Sequence, residues 1–165
     1  MTEDQLEQEA LGWLASVGYT PLNARELDHP DPRLERSSVR EVVLVSSLRA
    51  AIQRLNPDVP SDARDDALKK VLDIGLPALL SGNRAFHHLL VAGVPVQYQK
   101  EGETRGDFVR LIDWQDTVCN EWLAVQQFTI KGPRHTRRPD IILFINGFPL
   151  VLLELKNPAD LNADV

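Results

Sequence analysis

Residues 137–160, RRPDIILFINGFPLVLLELKNPAD, decide the fold of the C-terminal half. Two apolar runs, Ile141 to Ile145 and Phe148 to Leu153, flank Asn146-Gly147. An Asn-Gly pair in that position is the strongest short-range signal for a β-hairpin. Both runs are apolar at odd and even positions, which predicts strands buried on both faces. The rim is different in kind. Asp140 opens the first strand, and Glu154 and Lys156 close the second. A hairpin this apolar has no packing reason to end in three charges, so these residues direct attention to chemistry.

Outward from the hairpin, the chain reads as strands back to about residue 93: 94–99, a Gly-containing turn at 101–106, then 107–114 and 121–130. Upstream the apolar spacing changes to that of helices. A first helix places Leu6, Ala10, Trp13, Leu14 and Val17 at helical intervals and stops at Gly18. Residues 20–36, with Pro21, Pro30 and Pro32, read as a loop. Ser37 or Ser38, with Glu41 completing a capping box, predicts the start of a second helix carrying Val42, Val45, Leu48, Ile52 and Leu55. A third helix spans 61–74 until Pro77 interrupts it, and a short fourth ends at Gly93. The result is a mixed α/β (α+β) domain over 1–165, mostly helical over 1–92 and mostly strands over 93–165, with a mostly antiparallel or mixed sheet.

Composition narrows the class. At 165 residues, 43% apolar and 25% charged, the chain can bury a core and has no signature of disorder. No apolar run approaches the roughly 20 residues that span a bilayer, so no membrane partner is expected. The acidic start MTEDQLEQEA is unlike a secretory signal, and the lone Cys119 fits a reducing cytoplasm. Trp13, Trp114 and Trp122 are expected in the core, and His87 and His88 in ordinary packing. No phosphate-binding GxxxxGK[ST], nucleophile-elbow GxSxG or Ser-His-Asp grouping occurs.

The net charge of −6 argues against a nucleic-acid partner, but its distribution does not. Between Glu121 and Asp140 there is no acidic residue, whereas Lys131, Arg134, Arg137 and Arg138 occur there with His135. Standing directly before Asp140, this stretch is a candidate phosphate-contacting segment. Taken alone it could equally be a solvated loop.

Asp140 and Glu154, brought to one face, repel unless a divalent cation lies between them. Carboxylate oxygens without His or Cys suit Mg²⁺, and the Leu155 carbonyl offers one more hard oxygen. Lys156, on the Glu154 face, would hold a metal-bound water and offset phosphoryl charge. The combination describes metal-assisted phosphodiester hydrolysis. It carries a geometric condition. A plain two-residue turn sets Asp140 opposite Leu153 and sends Glu154 to the other face. A three-residue loop Ile145-Asn146-Gly147, or a bulge within 140–154, brings the two carboxylates to one face. One of these irregularities is therefore predicted.

The same residues resemble a known family. RRPDIILFINGFPLVLLELKNPAD is similar to the nuclease motif of the restriction (R) subunit of type I restriction–modification enzymes, a branch of the PD-(D/E)xK nucleases. LEQEALGWLASVGY, VVLVSSLRAAIQRLNP, NRAFHHLLVAGVPVQY and VRLIDW resemble successive blocks of that subunit's N-terminal region. The resemblance implies a sheet of the restriction-endonuclease-like type. It also implies Mg²⁺-dependent cleavage of double-stranded DNA in an ATP-dependent complex with methyltransferase and specificity subunits. Asp140 matches the acidic residue of Pro-Asp, and Glu154 and Lys156 match Glu-x-Lys. An acidic residue of the first helix often joins such sites. Glu7 and Glu9 are the candidates, Glu7 preferred from the LEQEA register, with an exposed helix-start carboxylate as the alternative. The family's Gln-x-x-x-Tyr element and the ATP-using motor are missing here. The resemblance therefore implies a nuclease core truncated at its C-terminal end. Two other readings stay open: a non-catalytic docking module of a DNA-processing complex, and an unrelated PD-(D/E)xK repair nuclease.

Overall fold

The computed structural model describes residues 2–25, 31–73 and 79–156, so the predicted break at Pro77 and the last residues lie outside it. In chain order the helices are α1 (Glu3–Ser16), α2 (Val45–Leu55), α3 (Ser61–Leu72) and α4 (Leu79–Ala92). The strands are β1 (Thr20–Asn23), β2 (Val94–Lys100), β3 (Glu103–Val109), β4 (Trp122–Gln126), β5 (Ile130–Lys131), β6 (Thr136–Arg137), β7 (Ile141–Ile145) and β8 (Phe148–Leu153). The predicted α/β class holds. None of the described helices is long and apolar enough to cross a membrane. Spatially the chain forms two compact units, one of residues 1–45 with 121–165 and one of residues 46–120.

The first unit is built on a four-stranded sheet ordered β1-β4-β7-β8. The β4–β7 and β7–β8 pairs are antiparallel, but β1 runs parallel to β4, so the sheet is mixed. β1 corrects the loop expected over 20–36. Its sequence, TPLN, has no apolar alternation and includes a proline, which a strand tolerates at a sheet edge. Strand alternation then makes two apolar layers. On one face, Ala124, Ile141 and Leu143 pack with Leu11 of α1. On the other, Leu123, Val125, Ile142 and Phe144 pack with Leu44 and Phe128. Phe128 and Phe144 meet edge to face at 5.3 Å, and burying such a ring stabilises by about 1.5–3 kcal/mol.

Both-face burial holds for β7 and fails for β8, where Val151 is 45% and Leu152 55% exposed. The cause is position: among the described strands β7 lies inside the sheet and β8 at its edge. α1 also turns a different stripe inward. Glu7 and Leu11 are buried, with Ala10 and Leu14 packed beside them, while Trp13 is 68% and Val17 73% exposed. Helical spacing admits either stripe, and the sheet surface selects one. Trp122 is half-buried against Tyr19, and Trp114 is exposed, so only one of the three tryptophans approaches the expected core. Glu41 accepts the Ser37 N–H at 3.0 Å, and its own N–H donates to the Ser38 carbonyl at 3.0 Å. These bonds close a turn, however, and α2 begins only at Val45.

In the second unit α2, α3 and α4 accompany the β2–β3 hairpin, whose core includes Leu48, Ile52, Leu68, Val94, Val96 and Val109. The hairpin turns at Glu101-Gly102, with both residues at positive φ, so β3 starts earlier than the expected 107. Gly93 ends α4 at φ +86°, and a Cβ there would meet the Val109 carbonyl oxygen at 3.0 Å. Gly93→Ala is expected to lower stability by about 1–2 kcal/mol, the cost of a left-handed residue with a Cβ. Urea denaturation reads the change, and an unshifted midpoint would mean that the backbone relaxes there at no cost.

Candidate active site at the β7–β8 rim

The rim is shaped by the turn and by an irregularity behind it. Asn146 (φ +49°) and Gly147 (φ +84°) form a two-residue turn, the left-handed pair that such hairpins favour. Asn146 is wholly buried, and its side-chain oxygen accepts from the Glu121 N–H at 2.8 Å while its own N–H donates to the Glu121 carbonyl at 2.9 Å. The Leu44 N–H adds a bond to the Gly147 carbonyl at 2.9 Å. The three-residue loop is therefore not the device used. The register instead shifts between the pairs Phe144↔Pro149 and Leu143↔Val151, which leaves Leu150 as an extra residue in β8. Pro149 has no N–H to give the ladder, and prolines in sheets collect at edges and bulges.

Beyond the bulge Ile141 faces Leu153, so the same register carried one step further sets Asp140 opposite Glu154. A plain turn would have set it opposite Leu153. Alternation along both strands then gives Asp140 and Glu154 one side of the sheet, with Lys156 following two residues on. Leu153 and Leu155 pack against the α1 layer, in keeping with Glu154 and Lys156 pointing away from it. Asp140 is half-buried, and its Oδ2 accepts the Leu155 N–H at 2.6 Å. Glu154 and Lys156 are exposed. Among the described residues no three His, Cys, Asp or Glu side chains cluster as a metal group. The oxygens that this rim offers to a cation are two carboxylates and a backbone carbonyl.

Glu7 belongs to α1. It is 4% exposed on the α1 side, with Gln127 Nε2 donating to both of its oxygens at 2.9 Å and Gln126 Nε2 to Oε2. Gln8 Nε2 donates in turn to Gln126 Oε1 at 3.3 Å. Gln127 has φ +59°, which ends β4 well before the expected 130, and its N–H donates to the Asp140 carbonyl at 2.9 Å. Gln127 thus links Glu7 to Asp140. Glu9, the other candidate, is exposed. Gln126 and Gln127 are functional candidates that local sequence signals do not single out. Their only signal was a polar pair inside an otherwise apolar run.

The basic stretch is a small hairpin, with Ile130 paired to Arg137 and Lys131 to Thr136, closed by the Gly132 N–H on the His135 carbonyl at 2.8 Å. Lys131, Arg134, Arg137 and Arg138 are all exposed, and buried Pro139 connects them to Asp140. Arg36 is different in kind: its guanidinium lies 3.9 Å over the Phe128 ring and donates to the Glu41 carbonyl at 3.1 Å. Burial there lowers its pKa from the usual guanidinium value.

Comparison with known proteins agrees over the whole chain. The family model described as the N terminus of the type I restriction enzyme R protein matches residues 1–165. The type I restriction enzyme HindI endonuclease subunit of Haemophilus influenzae is 36% identical over 166 aligned residues, covering 100% of this chain and 16% of that protein. A Methanocaldococcus jannaschii protein, provisionally named as the type I restriction enzyme MjaIXP endonuclease subunit, is 32% identical, covering 96% of this chain and 15% of its own length. The chain thus spans about a sixth of the length of these relatives.

Proposed function

The chain belongs to the family of type I restriction enzyme R protein N termini, and from that premise we propose that it carries the DNA-cleaving centre of such a subunit. The observation that supports this most is the 2.6 Å bond from the Leu155 N–H to the Asp140 carboxylate, behind a bulge whose register, carried one step past the ladder, would pair Asp140 with Glu154. In extended backbone the N–H and C=O of one residue face the same neighbour. A strand-like Leu155 would therefore present its carbonyl to the Asp140 flank as well. Two carboxylates and one carbonyl are hard donors that fit Mg²⁺. When bound there, the ion supplies a more acidic water and neutralises phosphate oxygens.

The remaining roles belong to side chains of the chain itself. Asp140 and Glu154 hold the cation, with the Leu155 carbonyl beside them. Lys156 orients the attacking water and offsets the charge that develops on the phosphoryl oxygens. Lys131, Arg134, Arg137 and Arg138 grip flanking phosphates of double-stranded DNA without reading bases. In this reading the complete cytoplasmic subunit uses ATP in a motor part outside this chain. It works with methyltransferase and specificity subunits.

Calorimetry with Mg²⁺ or Mn²⁺ tests the reading directly: the wild type releases or absorbs binding heat, and Asp140→Ala does not. Equal heats from both proteins would reject the metal site. The basic hairpin has its own test. Replacing Arg134 and Arg137 with Ala weakens DNA binding alike on all sequences and reduces the slope of log affinity against log salt by about 1 per lost phosphate contact. A sequence-dependent loss with an unchanged slope would remove the hairpin from the phosphate-binding role.

One observation favours a second reading, the non-catalytic docking module: Trp13 and Val17 stand 68% and 73% exposed on α1. Absence of cation binding in the calorimetry would support it. Family membership leaves no place for the unrelated repair nuclease.

A further inference from the structure

Glu7 poses a physical problem that the nuclease reading leaves open. It is a carboxylate 4% exposed, and among the described residues no cation pairs with it. A buried carboxylate without a cation needs strong donors, and here the donors are the Gln126 and Gln127 amides. Gln127 is itself unusual. It holds φ +59°, a region that residues with a Cβ rarely adopt, and its N–H is bonded to the Asp140 carbonyl at 2.9 Å.

These facts connect. The carboxylate of Glu7 accepts both contacts of the Gln127 amide and so fixes that side chain. The fixed side chain favours the left-handed backbone, and that backbone aims the Gln127 N–H at Asp140. The Gln126↔Ile141 pair, the last of the β4–β7 ladder, stands immediately before. We infer that Glu7 and Gln127 form a clasp that positions Asp140, with Glu7 acting on the site through Gln127 and not as a ligand of the cation. The inference rests on the proposed nuclease site and states how its first carboxylate is held. It also explains why a buried acid sits on the α1 face, away from the side that Glu154 and Lys156 share.

A ligand and a clasp respond differently to residue 127. Glycine takes positive φ unaided, and asparagine visits the left-handed region readily while being one methylene too short to reach Glu7. The experiment uses the complete subunit in its restriction complex, with Mn²⁺ calorimetry, DNA cleavage and hydrogen exchange at the amide of residue 127 as readouts. Glu7→Gln is expected to weaken Mn²⁺ binding by about tenfold, within the ~10–100-fold range for groups that hold a metal ligand in place. It should lower cleavage at limiting Mg²⁺ and speed exchange at residue 127. Gln127→Asn, one methylene short of Glu7, is expected to show a defect of the same kind and no larger, and Gln127→Gly a smaller one because glycine keeps the positive φ. In either background Glu7→Gln should then have little further effect.

A Glu7→Gln defect of undiminished size in both backgrounds would overturn the clasp and make Glu7 a direct ligand. Wild-type Mn²⁺ affinity and amide exchange in Glu7→Gln alone would overturn it as well. If Glu7→Gln does not fold, Glu7→Asp, which retracts the charge by one methylene, takes its place. Asp140→Ala separates the two levels. Normal Mn²⁺ binding in that variant rejects the site and the clasp together, whereas lost binding there with a failed Glu7–Gln127 test rejects the clasp alone.

Discussion

Asp140→Ala and Lys156→Ala are each expected to abolish DNA cleavage by the complete restriction complex while ATP hydrolysis continues at the wild-type rate. The expected loss is about 10²–10⁴-fold or more, the range for removing a proton-handling or charge-stabilising group. ATP use should persist because neither side chain is proposed to take part in it. Asp140 needs one more control, since its Oδ2 also accepts the Leu155 N–H at 2.6 Å. Alanine removes that bond together with the charge. Asp140→Asn keeps an acceptor oxygen for Leu155 and loses only the negative charge, so it should fold like the wild type and still fail to cut. Cleavage retained by Asp140→Asn or by Lys156→Ala would end the assignment. Lost cleavage accompanied by lost ATP hydrolysis would point to misassembly.

The second large effect concerns the turn that sets the register. Asn146→Ala is expected to destabilise the fold by about 2–5 kcal/mol. Roughly 1–2 of this comes from forcing a Cβ-bearing residue without a local side-chain bond into positive φ. About 1–3 comes from leaving the Glu121 N–H without its side-chain acceptor in the interior. Asn146 is wholly buried and bonded to Glu121 through both its side chain and its backbone, so water cannot substitute easily. Asn146→Gly recovers the backbone preference and not the acceptor, and should fall between the two. Denaturation midpoints in urea separate them. If Asn146→Ala cost less than about 0.5 kcal/mol, the small end of surface effects, the turn would not be what holds Asp140 in register with Glu154.

What local sequence encodes and what the tertiary fold adds divide along physical lines. The start of α3 at Ser61 and the end of α4 before Gly93 are legible from local signals. The Asn-Gly turn was legible because left-handed φ at two successive residues admits few side chains. Strand β1 was not, because TPLN carries no periodicity and exists only through its parallel partner β4. Trp13 lies on the uncovered one of two helical stripes that α1 offers, and only the sheet decides which is covered. Ser38 with Glu41 three residues on spells a helix start, whereas the bonds of Ser37 and Ser38 with Glu41 close a turn.

The candidate site shows the same division. Which groups stand at the rim, Asp140, Glu154, Leu155 and Lys156, follows from the one-dimensional order of charges after apolar runs, and so does the need for an irregularity between them. Where that irregularity falls is a tertiary matter. It sits at Leu150, beside a proline that cannot donate to the ladder, with the turn itself closed by Glu121 and Leu44 from distant parts of the chain. The Glu7–Gln127–Asp140 connection is tertiary altogether. Its members are far apart in sequence, and a glutamine at positive φ leaves no local trace, because the bonds that hold it there come from a helix and a strand that only the folded sheet brings together.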